Sequence, residues 1–229
     1  MVKHTEIIFV IDKSGSMGHL TDDTIGGFNS FVESQKDDTK TTLTTVLFDS
    51  SWKILHDGLD VYEVQPMTNK DYVPGGMTAM LDAIGETINR VQERHDELGA
   101  EKPDNVLFVI TTDGHENSSR NFKKAQIEKM IKHQTNGHGW EFIFLGANMD
   151  AVEEASRIGI DTSKSVTYTW TGQGTSGVYA TATAAACAHK HGELDSLNLT
   201  ATYDSCISST DSCIGTTNGS AYTDSISNK

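Results

Sequence analysis

The sequence predicts a doubly wound α/β domain, a mostly parallel central sheet with helices on both faces and one antiparallel edge strand. Three observations carry that prediction. Short apolar runs rich in β-branched residues recur along the chain. Longer segments with helically spaced apolar residues alternate with them, and glycine-bearing polar loops separate the two. Runs that are apolar at every position suit a sheet buried on both faces.

Residues 7–11 form the first such run and predict a buried strand, followed by a Gly-Ser-Met-Gly loop. Leu20, Thr24, Phe28, Phe31 and Val32 then repeat at helical spacing as far as the polar residues 36–38. Residues 42–48 predict a second strand, and Asp49-Ser50 a tight turn into an edge strand over residues 52–56. After the Pro74-Gly75-Gly76 loop, Thr78 is expected to open a long helix. Its stripe is Met80, Leu81, Ile84, Ile88 and Val91, with Gly99 as the stop. Residues 105–111 are the clearest buried strand, broken by Asp113-Gly114. A helix through Ile127, Met130 and Ile131, a strand over 142–145 and a short helix over 150–158 follow. The last expected pair is a strand over 166–170 and an Ala-rich helix over 178–189.

At 229 residues the chain fits one such domain plus an appendage, expected as residues 1–192 and a Ser/Thr-rich tail over 193–229. The tail has no helical period, and residues 197–203 offer at most one strand, so it is expected to be loosely structured or docked by a partner. The formal charge of −14 and pI near 4.9 argue against nucleic acid or anionic membrane as partners. The nearest basic run, Lys123-Lys124, reads as a solvated helix face. No secretory leader is read at the N-terminus and no stretch approaches the length of a membrane helix. Cys187, Cys206 and Cys213 cannot all pair with one another, and the expectation is reduced thiols in a cytoplasmic protein.

Chemistry concentrates where the first strand ends. Asp12-Lys13-Ser14-Gly15-Ser16 places three oxygen-bearing side chains at alternate positions, able to point to one side of the loop. Gly15 and Gly18 allow a tight turn there. A remote threonine and a second aspartate would complete a hard oxygen set suited to Mg2+, Ca2+ or Mn2+ rather than to zinc or copper. In open α/β sheets ligands sit at the carboxyl ends of strands, and Asp12 and Asp113 both follow predicted strands.

Three segments together resemble the von Willebrand factor A family. Val10-Ile11-Asp12-Lys13-Ser14-Gly15-Ser16-Met17 is similar to the first motif of its metal-ion-dependent adhesion site. The segment from Gly75 to Ile84 resembles the glycine-glycine-threonine motif, with Met77 inserted before Thr78. Val109-Ile110-Thr111-Thr112-Asp113-Gly114 looks like the third motif, and the resemblance covers about residues 5–190. It implies one divalent cation, Mg2+ first, on Asp12, Ser14, Ser16, Thr78 and Asp113. An Asp or Glu from a partner protein would complete the shell. Met17, Met77, His115 and Glu116 would flank the metal and shape the contact.

Other readings compete with this one. A helix cap would account for Ser14 or Ser16 and a turn for Asp113-Gly114, but neither reading explains all three segments together. Gly172-Gln173-Gly174-Thr175-Ser176-Gly177 fits a dinucleotide-binding pattern but opens the last expected helix rather than a fresh βαβ unit. Cys187, His189, His191 and Glu193 alternate in a way that scatters them around a helix instead of gathering them on zinc. Ser14 or Ser16 with His19 and Asp22 or Asp23 lacks a nucleophile elbow. A metal-assisted hydrolase would need His115 or Glu116 as its base. An assembly component using the tail as an intersubunit arm also remains open, as does a secreted adhesin made from a longer precursor. The expectation is a metal-dependent protein-binding module and not an enzyme.

Overall fold

A computed structural model describes residues 3–148 and 150–214, with the side chains of the last helix up to residue 208. Strand β1 (His4–Asp12) shows how the architecture arises. Alternate side chains of a strand face opposite ways. Ile7, Phe9 and Ile11 enter one buried cluster, while Ile8 and Val10 enter another. Strand β4 (Asn105–Thr112) divides the same way, Leu107 and Val109 against Phe108 and Ile110. So does β5 (Glu141–Ala147), Ile143 and Leu145 against Phe142 and Phe144. A sheet this apolar on both faces has to be covered on both.

The six strands run in the order β3-β2-β1-β4-β5-β6, with β2 (Lys40–Phe48), β3 (Trp52–Asp60) and β6 (Ser165–Tyr168) completing the set. All pairings are parallel except β2 with β3. Helices α1 (Thr21–Ser34), α5 (Gly172–His191) and α6 (Leu199–Ile214) cover one face through Phe28, Phe31, Tyr179, Ala182 and Leu199. Helices α2 (Met80–Leu98), α3 (Lys124–His138) and α4 (Ala151–Arg157) cover the other through Met80, Ile84, Ile88, Ile127 and Ala155. The doubly wound sheet with one antiparallel edge is thus as expected. Its strand order reverses direction between β1 and β4, the crevice where such folds bind ligands.

Three details depart from the sequence reading. Helix α2 starts at Met80 rather than Thr78, because Asn117 holds Thr78 in the preceding loop. The Thr78 N–H donates to Asn117 Oδ1 at 2.9 Å, and the Asn117 N–H donates back to the Thr78 carbonyl at 3.1 Å. Helix α5 starts at Gly172 rather than at residue 178, so the glycine-rich stretch 172–177 lies inside its first turns, capped by the Thr171 hydroxyl, in keeping with the dinucleotide reading having been set aside.

The third departure is in the tail, where residues 199–214 are helical, neither loose nor extended. Leu199 and Tyr203 are buried four residues apart in the cluster shared with α5, and Ile207 packs against it. Packing therefore continues past residue 192, while residues 215–229, also assigned to the tail, lie outside the described residues. Among the described residues no helix is long and apolar enough to cross a membrane.

Candidate metal centre

Three loops at the carboxyl edge of the sheet build the site. Strand β1 delivers Asp12 with its side chain fully buried, and the parallel register Ile11↔Thr111 brings Thr112 of β4 alongside it. The first loop then turns back, with the Ser14 N–H donating to Asp12 Oδ1 at 2.7 Å and the Met17 N–H to the Ser14 carbonyl at 3.0 Å. The second loop is fastened to the first by two backbone bonds, Gly15 N–H to the Gly76 carbonyl at 3.2 Å and Gly75 N–H to the Lys13 carbonyl at 2.9 Å. Gly76 sits at φ 70°, where a side chain would be strained and would also run into Ser50. The third loop brings Gly114 beside Thr78, since a side-chain carbon at 114 would lie 3.5 Å from Thr78 Oγ1.

The oxygens meet as a chain. Thr112 Oγ1 donates to Asp12 Oδ2 at 2.7 Å, Ser14 Oγ and Ser16 Oγ lie 3.1 Å apart, and Ser16 Oγ donates to Asp113 Oδ1 at 2.8 Å. Trp170, in the turn after β6, donates its indole N–H to Asp113 Oδ2 at 2.9 Å. The five residues expected to hold the cation thus come from three loops to one corner of the sheet: Asp12, Ser14, Ser16, Thr78 and Asp113. Asp12, Ser14 and Thr78 are buried there, Asp113 is half-buried and Ser16 is exposed.

Electrostatics sharpen the picture. Burial pushes the Asp12 carboxyl up to about 6, and the charge of Asp113 adds to that. The hydrogen bonds from Thr112 and Ser14 pull the other way. None of these donors is positively charged. Lys13, the nearest basic residue in sequence, points instead to Asp49 at the end of β2. Two carboxylates and three hydroxyls, one carboxylate buried against neutral donors only, are a donor set that fits a hard divalent cation. Among the described residues no three His, Cys, Asp or Glu side chains converge as a metal-holding group, so any cation at this edge relies on hydroxyl oxygens.

The expected rim is only partly a rim. Met77 is exposed and His115 is exposed, both beside the centre. Met17 is not, because its side chain turns into the buried cluster beneath the loop with Leu20 and Phe28. Glu116 is engaged in structure. Its carboxylate accepts from the N–H groups of Leu81, Ser118 and Ser119 and from the Ser119 hydroxyl, satisfying the open first turn of α2. That gives the half-buried carboxylate a structural task in the loop. His19 Nδ1 lies 3.2 Å from the Ser16 carbonyl and its ring packs on Trp170, so it does not address a serine hydroxyl as a triad would require.

Sequence reasoning missed Thr112 and Trp170. The first was findable, because Thr112 ends a strand paired in register with the strand ending at Asp12. The second carried no local signal, since Trp170 and Asp113 are 57 residues apart.

No protein-family model and no curated protein matches the sequence. Solved structures do match in fold. Proximal thread matrix protein 1 from the mussel byssus, with a zinc-occupied MIDAS motif, aligns at TM-score 0.58 and 17% identity over 81% of this chain and 46% of that one. A von Willebrand factor type A structure from Catenulispora acidiphila aligns at 0.53 and 14% identity, over 80% of this chain and 42% of its own. The vWF domain of the type V pili tip protein Mfa5 from Porphyromonas gingivalis aligns at 0.53 and 11% identity, over 97% and 99% of the two chains. The chain therefore spans less than half the length of the mussel and Catenulispora structures and nearly all of the Porphyromonas domain. Its fold is that of the von Willebrand factor A domains.

Proposed function

We propose that this chain is a metal-dependent protein-binding module and not an enzyme. Asp12, Ser14, Ser16, Thr78 and Asp113 hold one divalent cation, Mg2+ in preference to Ca2+ or Mn2+, and a partner protein supplies an Asp or Glu to it. The observation that carries the reading is the gathering of oxygens from Asp12 to Asp113 at the strand-order reversal, joined through the Ser14 N–H and the Ser14 and Ser16 hydroxyls and met by neutral donors only. The zinc-occupied motif of the mussel neighbour, and the place of the Porphyromonas domain in a pili tip protein, support metal and protein binding in this fold.

Each residue has a definite task in this reading. Asp12 is anchored by Thr112 and the Ser14 N–H, which leaves its charge directed at the loop crevice. Ser14 and Ser16 offer lone pairs once their mutual hydrogen bond opens, and Asp113 stands behind Ser16 as the second negative charge. When bound, a divalent cation would present an open coordination position to a carboxylate. Exposed Met77 and His115 line the approach. The engagement of Glu116 at the start of α2 occupies one of the two candidate bases, which supports binding over hydrolysis. Cys187, Cys206 and Cys213, read as reduced thiols, are the ground for proposing a cytoplasmic placement.

Calorimetric titration of Mg2+, Ca2+ and Mn2+ into metal-free protein tests the reading against an Asp12→Ala, Ser14→Ala double variant. One equivalent bound by the wild type and none by the variant is the expected result. A folded wild type that binds none of the three ions overturns the proposal.

A further inference from the structure

The turn that follows β6 reaches back across two strands to touch the centre, and the chain builds it with care. Trp170 is about one-third exposed, its indole N–H donates to Asp113 Oδ2 at 2.9 Å, and its ring meets His19 edge-on at a centroid distance of 3.9 Å. Asp113 is therefore held from both sides, Oδ2 by Trp170 and Oδ1 by Ser16. His19 belongs to the same loop as Ser14 and Ser16, so the one indole ties the third motif to the first.

The turn itself is braced from the helices. The Thr169 N–H donates to the Tyr203 hydroxyl of α6 at 3.1 Å, and Thr171 caps α5. Gly174 allows this close seat, because a side-chain carbon there would fall 2.0 Å from the Thr169 carbonyl oxygen. The glycine-rich stretch that imitates a nucleotide loop thus has a packing reason in Gly174.

Resting on the cation-binding reading above, we propose that Trp170 is a positioning residue of the metal centre. Its indole N–H fixes the Asp113 carboxylate so that Oδ1 stays turned toward Ser16, and α5 and α6 hold the indole in place. A carboxylate with one free rotor would sample orientations that draw its charge away from the crevice. A hydrogen bond to the anion restricts that sampling at little cost, since the ring is already seated on His19. The C-terminal helix contributes to the site in this way without touching it.

Trp170→Phe keeps an aromatic ring on His19 and removes the donor. Trp52→Phe changes another exposed indole, at the β2–β3 turn, and serves as the control. The expected result is that Trp170→Phe binds Mg2+ about tenfold more weakly by calorimetry, the scale of one charge-assisted hydrogen bond, with its metal-free melting temperature unchanged. Trp52→Phe binds like wild type.

The chain has three tryptophans, so three indole N–H signals are expected in a nitrogen-15 correlation spectrum, and the one lost in Trp170→Phe is assigned to it. That signal should shift on Mg2+ addition and in Asp113→Asn, while the signal of buried Trp140 stays in place. Wild-type affinity within twofold in Trp170→Phe, or a Trp170 signal indifferent to both Mg2+ and Asp113→Asn, overturns the positioning role alone. A wild type that binds no cation overturns this role together with the reading beneath it.

Discussion

Strand β1 buries two carboxylates, Glu6 near its start and Asp12 at its end, 1% and 0% exposed. The protein treats them oppositely. Glu6 is met by the Arg94 guanidinium, by His95 Nε2 at 2.7 Å and by the Thr44 hydroxyl at 2.7 Å, with Arg94 itself paired to Asp57. Asp12 is met by neutral donors, the Thr112 hydroxyl and the N–H and hydroxyl of Ser14, and the charge that acts on it is the like charge of Asp113. A buried carboxylate is costly unless it is paired. One end of the strand carries its counter-charge within the fold, and the other, on the reading proposed above, takes it from a cation in solution. Burial alone therefore does not distinguish the two carboxylates, and the presence of an internal positive partner does.

The largest expected effect lies at the structural end. Arg94→Ala should destabilise the protein by about 3–5 kcal/mol in chemical denaturation, because it leaves Glu6 buried with its main counter-charge gone. The cation affinity of the folded fraction should not change. A loss below about 1 kcal/mol would break the contrast, since Glu6 would then be no better provided for than Asp12.

A third buried titratable group extends the comparison to pH. His189 on α5 is 8% exposed, and its Nε2 has no hydrogen-bond partner among the described residues. Burial, with help from Lys164 and Lys3, lowers it from 6.5 to about 4. The folded state therefore resists a proton that the unfolded chain takes up. Stability from this group is complete above pH 6.5 and declines as pH falls toward 4, by roughly 3 kcal/mol in total. Denaturation midpoints measured across that window in wild type and His189→Gln should converge at high pH and separate at low pH. Parallel curves would show that His189 takes up its proton in the fold as readily as in the unfolded chain.

At the functional end the sign reverses. Asp12→Asn keeps an oxygen for the Ser14 N–H, and the Thr112 hydroxyl can turn to accept from the new amide. Metal-free stability should hold or rise by about 1 kcal/mol, since an unpaired buried charge is removed. What disappears is the stabilisation by cation, about 2.7 kcal/mol in wild type at a hundredfold excess over Kd. Thermal melts with and without Mg2+ measure both. A variant that is destabilised without metal and still gains from it would reverse the assignment of Asp12.

How much of this the sequence discloses follows the same division between local and distant information. The strands are legible because residues such as those of β1 and β4 are apolar on both parities, a pattern complete within a few positions. The five-oxygen set is legible because its members fall in three short motifs, each at a strand or loop boundary. Helix α6 is not, since its stripe is only Leu199, Tyr203 and Ile207 among serines, threonines and aspartates, and nothing local shows the α5 surface that buries them. Met17 stands between Ser16 and Gly18 and looks like loop, although the turn drives it into the core. Trp170 and Asp113 are joined only by tertiary structure. Position along the chain showed where oxygens would gather and not which neighbours would hold them.

The smallest effect separates a residue that resembles site from one that serves as site. Glu116 is adjacent to the third motif and acidic, which invites a role at the metal. Yet its two carboxylate oxygens accept three backbone N–H groups and a hydroxyl around the start of α2. Glu116→Ala should cost about 1–2 kcal/mol in denaturation, the scale of a lost helix cap. Cation affinity should stay within about threefold, because the two sites share no ligand. Glu116→Gln should recover part of the stability, since its one carbonyl oxygen can still accept from backbone N–H groups. Should Glu116→Ala leave stability untouched while cation or partner binding collapses, the carboxylate would belong to the centre after all.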